Sequence, residues 1–147
     1  MRVAGARAQD LAGLVAGRGF VGQTYLDERA SAIHYLMAGG AVSGLHRLEH
    51  LEIWAWHAGS PARMLLVSPG GTVSEPVLGT DLAVGERPQV IVPGGWWQAC
   101  EPVGAWTLVS TFMAPPYTDD SVTFEGGAAL AVMHPEHAAR IARLARG

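Results

Sequence analysis

His46 and Glu52 lie within "GAVSGLHRLEHLEIWAWHAG", Gly40 to Gly59, a stretch that also carries His50, His57, Trp54 and Trp56 between glycines. An imidazole beside a carboxylate is the pairing that general acid–base catalysis uses. Burial raises a glutamate pKa and a neighbouring imidazolium lowers it, so the two can be set for proton transfer near neutral pH. His46, Leu48, Glu52, Trp54 and Trp56 share parity, which on strands sends their side chains to one face. A buried carboxylate costs several kcal/mol unless it is partnered, so Glu52 is hard to explain as filling. The two indoles serve equally as core or as a stacking surface for a planar ligand.

The rest of the composition removes alternatives. The chain has 147 residues and a formal charge of −3, and each of its ten basic residues is an arginine. Without lysine there is no Schiff-base amine and no phosphate-loop cation. The arginines gather only at Arg140, Arg143 and Arg146, too few for a nucleic-acid track, so no nucleic-acid partner is expected. Cys100 is the single cysteine, which excludes an internal disulfide. With no cationic helper nearby, it reads as an inert buried thiol. No stretch approaches the length of a membrane helix and no signal-peptide core is formed, so a cytoplasmic protein without a membrane partner is expected. An apolar share of 49% points to a well-filled interior or a subunit interface, and a homodimer is expected.

These side chains need a scaffold. "SAIHYLM", "LEIWAWHAG", "RMLLVS", "PQVIVPGG" and "AWTLVSTFM" are short apolar runs between Gly, Pro, Asp and Ser, with no helix-length period among them. They predict an all-β sandwich or small barrel over about residues 20–125, in one domain spanning 1–147. Asp10 with Leu11, Leu14 and Val15 predicts a short N-terminal helix. Pro135 and Glu136 open a C-terminal helix over about 135–146, with Ala138, Ile141, Ala142 and Ala145 on one side. On the "SAIHYLM" strand, one of His34 and Tyr35 faces inward. Arg47 reads as an ion-pair partner for Glu49 or another acid, and Trp96 and Trp97 as a pocket rim or subunit contact.

The spacing from Gly40 through His46 and Glu52 to Gly59 resembles the first cupin motif, with Leu48 in place of its second histidine. "GERPQVIVPGGWWQA" resembles the other motif, with Pro93 to Gly95 as its P-x-G and Gln98 in place of its last histidine. "LGTDLAVGE", "VPGGWWQA" and "TLV", in that order, are similar to the Cupin_5 branch, also called DUF985. The branch's N-terminal stretch retains Gly19, Thr24 and Tyr25, with Gln23 for a glutamate and Gly22 for an arginine; Pro115, Pro116 and Tyr117 stand in its later P-G-F. The resemblance implies a double-stranded β-helix, or jelly-roll barrel, usually dimeric, with a cavity at one end where the even-numbered motif residues face inward.

A cupin metal site gathers three imidazoles and a carboxylate. Here only His46 and Glu52 carry over, so no cofactor is expected; a recruited divalent metal would need His50 or His57 as well. The expectation is a metal-independent enzyme of bacterial specialised metabolism that isomerises, epimerises, dehydrates or cyclises a small organic substrate. His46, Glu52 and Tyr25 are its catalytic candidates, and Gln23, His34, Trp54, Trp56, Trp96 and Gln98 its substrate-binding candidates. A noncatalytic small-ligand binder and a divergent metal-dependent oxygenase or isomerase are the rivals.

Overall fold

Short runs of alternating apolar and polar residues form the strands. The structure is a computed structural model that describes residues 20–145; the expected N-terminal helix lies outside them. In chain order come β1 (Phe20–Leu26), β2 (Ser31–Ala38), β3 (Ser43–Leu48), β4 (Glu52–Gly59) and β5 (Ala62–Val67). There follow the short β6 (Val73–Ser74) and β7 (Val77–Leu78), then β8 (Gln89–Val92), β9 (Trp97–Pro102), β10 (Trp106–Met113) and β11 (Val122–Thr123). One sheet has the order β1-β2-β10-β4-β8 and the other β11-β3-β9-β5-β6, with β7 beside β5. Every pairing between these strands is antiparallel. The two sheets face each other as an all-β barrel, as the sequence predicts.

The barrel is filled at one end and open at the other. Met37, Ala62, Met64, Leu78, Cys100 and Val109 are each fully buried and form the packed part, with Trp54 above them. A second core lies outside the barrel. Leu45, Leu65, Val67 and Ala99 on the outer face of the second sheet are covered by Leu130, Ile141 and Leu144. Burying each of these leucines or isoleucines is worth about 1.5–3 kcal/mol.

The covering element corrects the expected single helix over 135–146. Two helices form the cover, α1 (Gly127–Met133) and α2 (Ala138–Leu144), joined by a 3-10 turn at Pro135–His137. α1 starts at Gly126 with no side-chain cap, so its "GGAALAVM" carries no start signal to read. On α2 the buried positions are Ile141 and Leu144, whereas Ala145 is exposed. Arg143 forms a two-pronged hydrogen bond with Glu101 of β9, and Arg140 pairs with Glu75, fastening α2 to the second sheet.

The turn between β8 and β9 is shaped by two glycines. Gly95 adopts φ +84°, and a Cβ on Gly94 would meet the Glu49 carbonyl oxygen at 2.2 Å. Gly95 N–H donates to Leu48 O at 2.8 Å. These contacts lock the P-x-G turn onto the end of β3 and the start of β4, where the barrel opens.

Candidate functional site

The open end holds a cavity of about 310 Å³ between the two sheets. β3 supplies His46 and Leu48, β4 supplies Glu52 and Trp54, β2 supplies Ile33 and Tyr35, and β10 supplies Thr111. The segment after β10 closes the rim with Tyr117, Val122 and Phe124. The cavity therefore has mostly apolar walls and a few converging polar groups, the usual make-up of a small-molecule site.

His46 and Glu52 meet in this cavity. Nε2 of His46 stands 3.9 Å from Oε2 of Glu52, and both side chains are largely buried. His46 Nδ1 lies 2.7 Å from the Gly44 carbonyl oxygen. A carbonyl can only accept, so Nδ1 carries a proton and Nε2 is the acceptor in the neutral ring. Glu52 is 6% exposed, and its Oε2 has no hydrogen-bond partner. A buried carboxylate oxygen without a donor is costly, and this one opens onto a cavity.

The remaining sequence candidates divide. Trp54 lines the cavity, but its Nε1–H donates to Gln98 Oε1 at 2.8 Å. Gln98 is thus engaged by the core and does not reach the cavity wall. Trp56 sits at the filled end, with its indole N–H donated to Ser60 O. Trp96 is half-buried against the same core. Of His34 and Tyr35, it is Tyr35 that faces in, and its hydroxyl donates to Val42 O. His34 lies on the outer face, where its ring meets His57 edge-on at 5.9 Å. Gln23 is half-buried on β1 opposite Ile33, outside the cavity lining.

Tyr25 does not join His46 and Glu52. It is 52% exposed, its hydroxyl donates to Asp27 Oδ2 at 2.8 Å, and it lies in a shallow apolar groove on the outer face of the first sheet. The cause is a bulge: the pairing of β1 with β2 shifts register between Gln23 and Tyr25, which reverses the face that Tyr25 presents. His57 also lies on the outer face, as its odd parity on β4 requires. β10 shifts register against β4 between Leu108 and Val109, leaving His57 unmatched between Trp56 and Ala58. It points outward to Ser110 Oγ, and burial together with the nearby His34 lowers its pKa. Arg47 lies 5.1 Å over the Trp97 ring rather than pairing with Glu49.

Tyr117 and Phe124 are the cavity-lining aromatics that alternation could not find. Both follow β10, where no strand period runs. Tyr117 N–H donates to Ser31 Oγ, which docks this segment on β2. Burial, then the charge of Asp119 and a hydrogen bond to it, then the charge of Glu52, push the Tyr117 phenol above its ordinary pKa, so it keeps its proton at neutral pH. Phe124 stands 6.2 Å from the His46 ring. The signal was Pro115-Pro116-Tyr117 itself, an aromatic set directly after a barrel strand.

A double-sheet antiparallel barrel with one filled end and one ligand-sized cavity is a cupin barrel. The chain belongs to the Cupin_5 family of the cupin superfamily (DUF985), whose model matches residues 19–125. It is similar to the X-ray structure of a Shewanella oneidensis protein, with 32% identity, TM-score 0.80, and 95% of this chain and 97% of that one covered. A hypothetical protein from Leishmania major shares 22% identity at TM-score 0.73, over 86% of this chain and 88% of that one. A dTDP sugar isomerase from Desulfovibrio desulfuricans has the same fold at 13% identity and TM-score 0.56, over 68% of this chain and 66% of that one. No curated protein matches the chain.

The donor set does not fit the metal that a cupin barrel commonly holds. Leu48 has no donor atom, Gln98 Oε1 is taken by Trp54, and His57 points outward. His50 is in the turn before β4, outside the cavity lining. Among the described residues no three His, Cys, Asp or Glu side chains converge as a metal site. Two ligands are short of the three or four protein donors that transition-metal sites use.

Proposed function

We propose that this protein is a small-molecule cupin enzyme working by metal-independent proton transfer, of the isomerase, epimerase, dehydratase or cyclase type, in bacterial specialised metabolism. The observation that carries this is the unpartnered Oε2 of buried Glu52, 3.9 Å from His46 Nε2 in a mostly apolar cavity. The hydrogen bond to Gly44 O holds the His46 tautomer whose Nε2 accepts a proton from substrate. Glu52 stabilises the imidazolium as it forms, and Tyr117 offers a phenolic proton from the rim. Tyr35, Trp54 and Phe124 hold the apolar part of the substrate and exclude water.

A homodimer fits the same reading. Tyr25, Leu51, Ile91 and Phe112 are exposed on or beside the outer face of the first sheet, an apolar patch suited to a second copy.

The test is to incubate purified protein with a small-molecule extract in D2O and follow masses, beside native mass spectrometry for a carried-over ligand. Protein-dependent deuterium uptake or isomer conversion that is lost in His46→Ala and Glu52→Gln supports the enzyme. A ligand that co-purifies and leaves chemically unchanged, with no exchange, favours the noncatalytic binder.

A further inference from the structure

The cavity is rich in acceptors and poor in positive charge. Glu52 Oε2 has no donor, and the proton on His46 Nδ1 directed at Gly44 O leaves Nε2 as a second acceptor. Among the described residues lining the cavity there is no arginine, and the chain has no lysine at all. A carboxylate or phosphate brought here would lose its water, meet no cation, and face the Glu52 charge. Desolvating an anion without a partner costs many kcal/mol. A protonated amine meets the opposite situation, with a carboxylate to pair with and aromatic faces around it.

The geometry of the two acceptors narrows this further. Their separation of 3.9 Å is too long for a direct hydrogen bond. One atom at an ordinary donor distance of about 2.8 Å can nevertheless touch both. Such an atom needs two hydrogens to give, as an ammonium or a primary amine has. Tyr35, Trp54, Tyr117 and Phe124 line the same space, and aromatic faces attract cations. At about 310 Å³, the cavity is at the small end of ligand sites, so the apolar body is one or two rings in size.

We infer that the ligand of this pocket is an apolar organic amine, its nitrogen bridging Glu52 Oε2 and His46 Nε2, and that carboxylates and phosphates are rejected. This rests on the His46–Glu52 cavity being the working site, and it adds the charge class of what the site takes.

The experiment uses three probes with one skeleton, 4-phenylbutylamine, 4-phenylbutan-1-ol and 4-phenylbutyrate, titrated into the full chain at pH 7 by calorimetry. The amine is expected to bind at least about tenfold tighter than the carboxylate, a difference of about 1.4 kcal/mol, with the alcohol between. Glu52→Gln is expected to erase the amine's advantage over the alcohol. Val122→Lys, which puts a cation at the rim without touching the acceptors, is expected to raise the carboxylate's affinity toward the amine's. Thermal melts confirm that both variants are folded. Equal or tighter binding of 4-phenylbutyrate by the wild type, an amine preference undiminished in folded Glu52→Gln, or no binding of any probe at millimolar concentration would each overturn the inference. Binding is read without turnover, so an amine preference in a protein that catalyses no exchange sinks the acid–base reading alone.

Discussion

Trp54 on β4 donates its indole N–H to Gln98 on β9 across the barrel at 2.8 Å, joining the two sheets at the floor of the cavity. The two side chains are 1% exposed, so neither can exchange its partner for water. A buried donor left without an acceptor costs about 1–3 kcal/mol.

Gln98→Leu should therefore destabilise the fold by roughly 1–3 kcal/mol. Gln98→Glu, which keeps the acceptor but puts a carboxylate in a fully buried position, should cost no less. Urea unfolding monitored by tryptophan fluorescence checks this. If Gln98→Leu left the midpoint unmoved, the Trp54–Gln98 bond would not be holding the sheets. Because Trp54 also lines the cavity, the same variant should loosen probe binding.

The barrel and half of its site could be read from residue order because alternation maps directly onto faces. His46, Leu48, Glu52 and Trp54 are even-numbered and all turn inward. Tyr25 is misplaced because it follows a β-bulge. A bulge changes parity by one residue, and composition carries no mark of it. Trp56 retains inward parity yet sits at the filled end, because alternation gives the face and not the depth along the barrel. Tyr117 and Phe124 lie beyond the last long strand, where only tertiary docking through Ser31 and β11 brings them to the rim.

Glu52 should be a stability liability. Its Oε2 is buried without a donor, so Glu52→Gln, which removes a desolvated charge at the same shape, is expected to leave the melting temperature unchanged or raise it, while lowering catalysis by about 10²–10⁴-fold. Differential scanning calorimetry at pH 7 reads the first part and the D2O exchange assay the second. A marked loss of stability would mean that Glu52 is a structural ion-pair member.

Glu101 gives the fold a defined acid sensitivity. Hydrogen bonds from Arg143, then the charges of Arg143, Arg140 and Arg63, hold its carboxyl below the ordinary 4.5 against the opposing effect of burial. A depressed folded pKa contributes stability that is present above 4.5 and is lost as pH falls through the folded value. Glu101→Gln is accordingly expected to cost on the order of 1 kcal/mol at pH 7, with the difference from wild type shrinking below 4.5. Urea midpoints from pH 7 down to pH 3 test the sign, and a constant difference across that range would exclude Glu101 as its source.

The donor set at the open end also predicts how this barrel treats metals. His46 and Glu52 are two ligands; Leu48 sits on β3 in the same inward row, and Gln98 is paired directly opposite His46 in the β3–β9 register. Histidine at both positions would give three imidazoles and a carboxylate around one space, a set that suits zinc or nickel. Wild-type protein is expected to purify with far less than one metal per chain and to keep its stability and probe binding after EDTA. The Leu48→His/Gln98→His double variant should bind Zn2+ stoichiometrically by calorimetry and be stabilised by it, offsetting the loss of the Trp54 acceptor. Near-stoichiometric metal in the wild type, with EDTA lowering its melting temperature, would mean that the chain completes the site with ligands beyond His46 and Glu52.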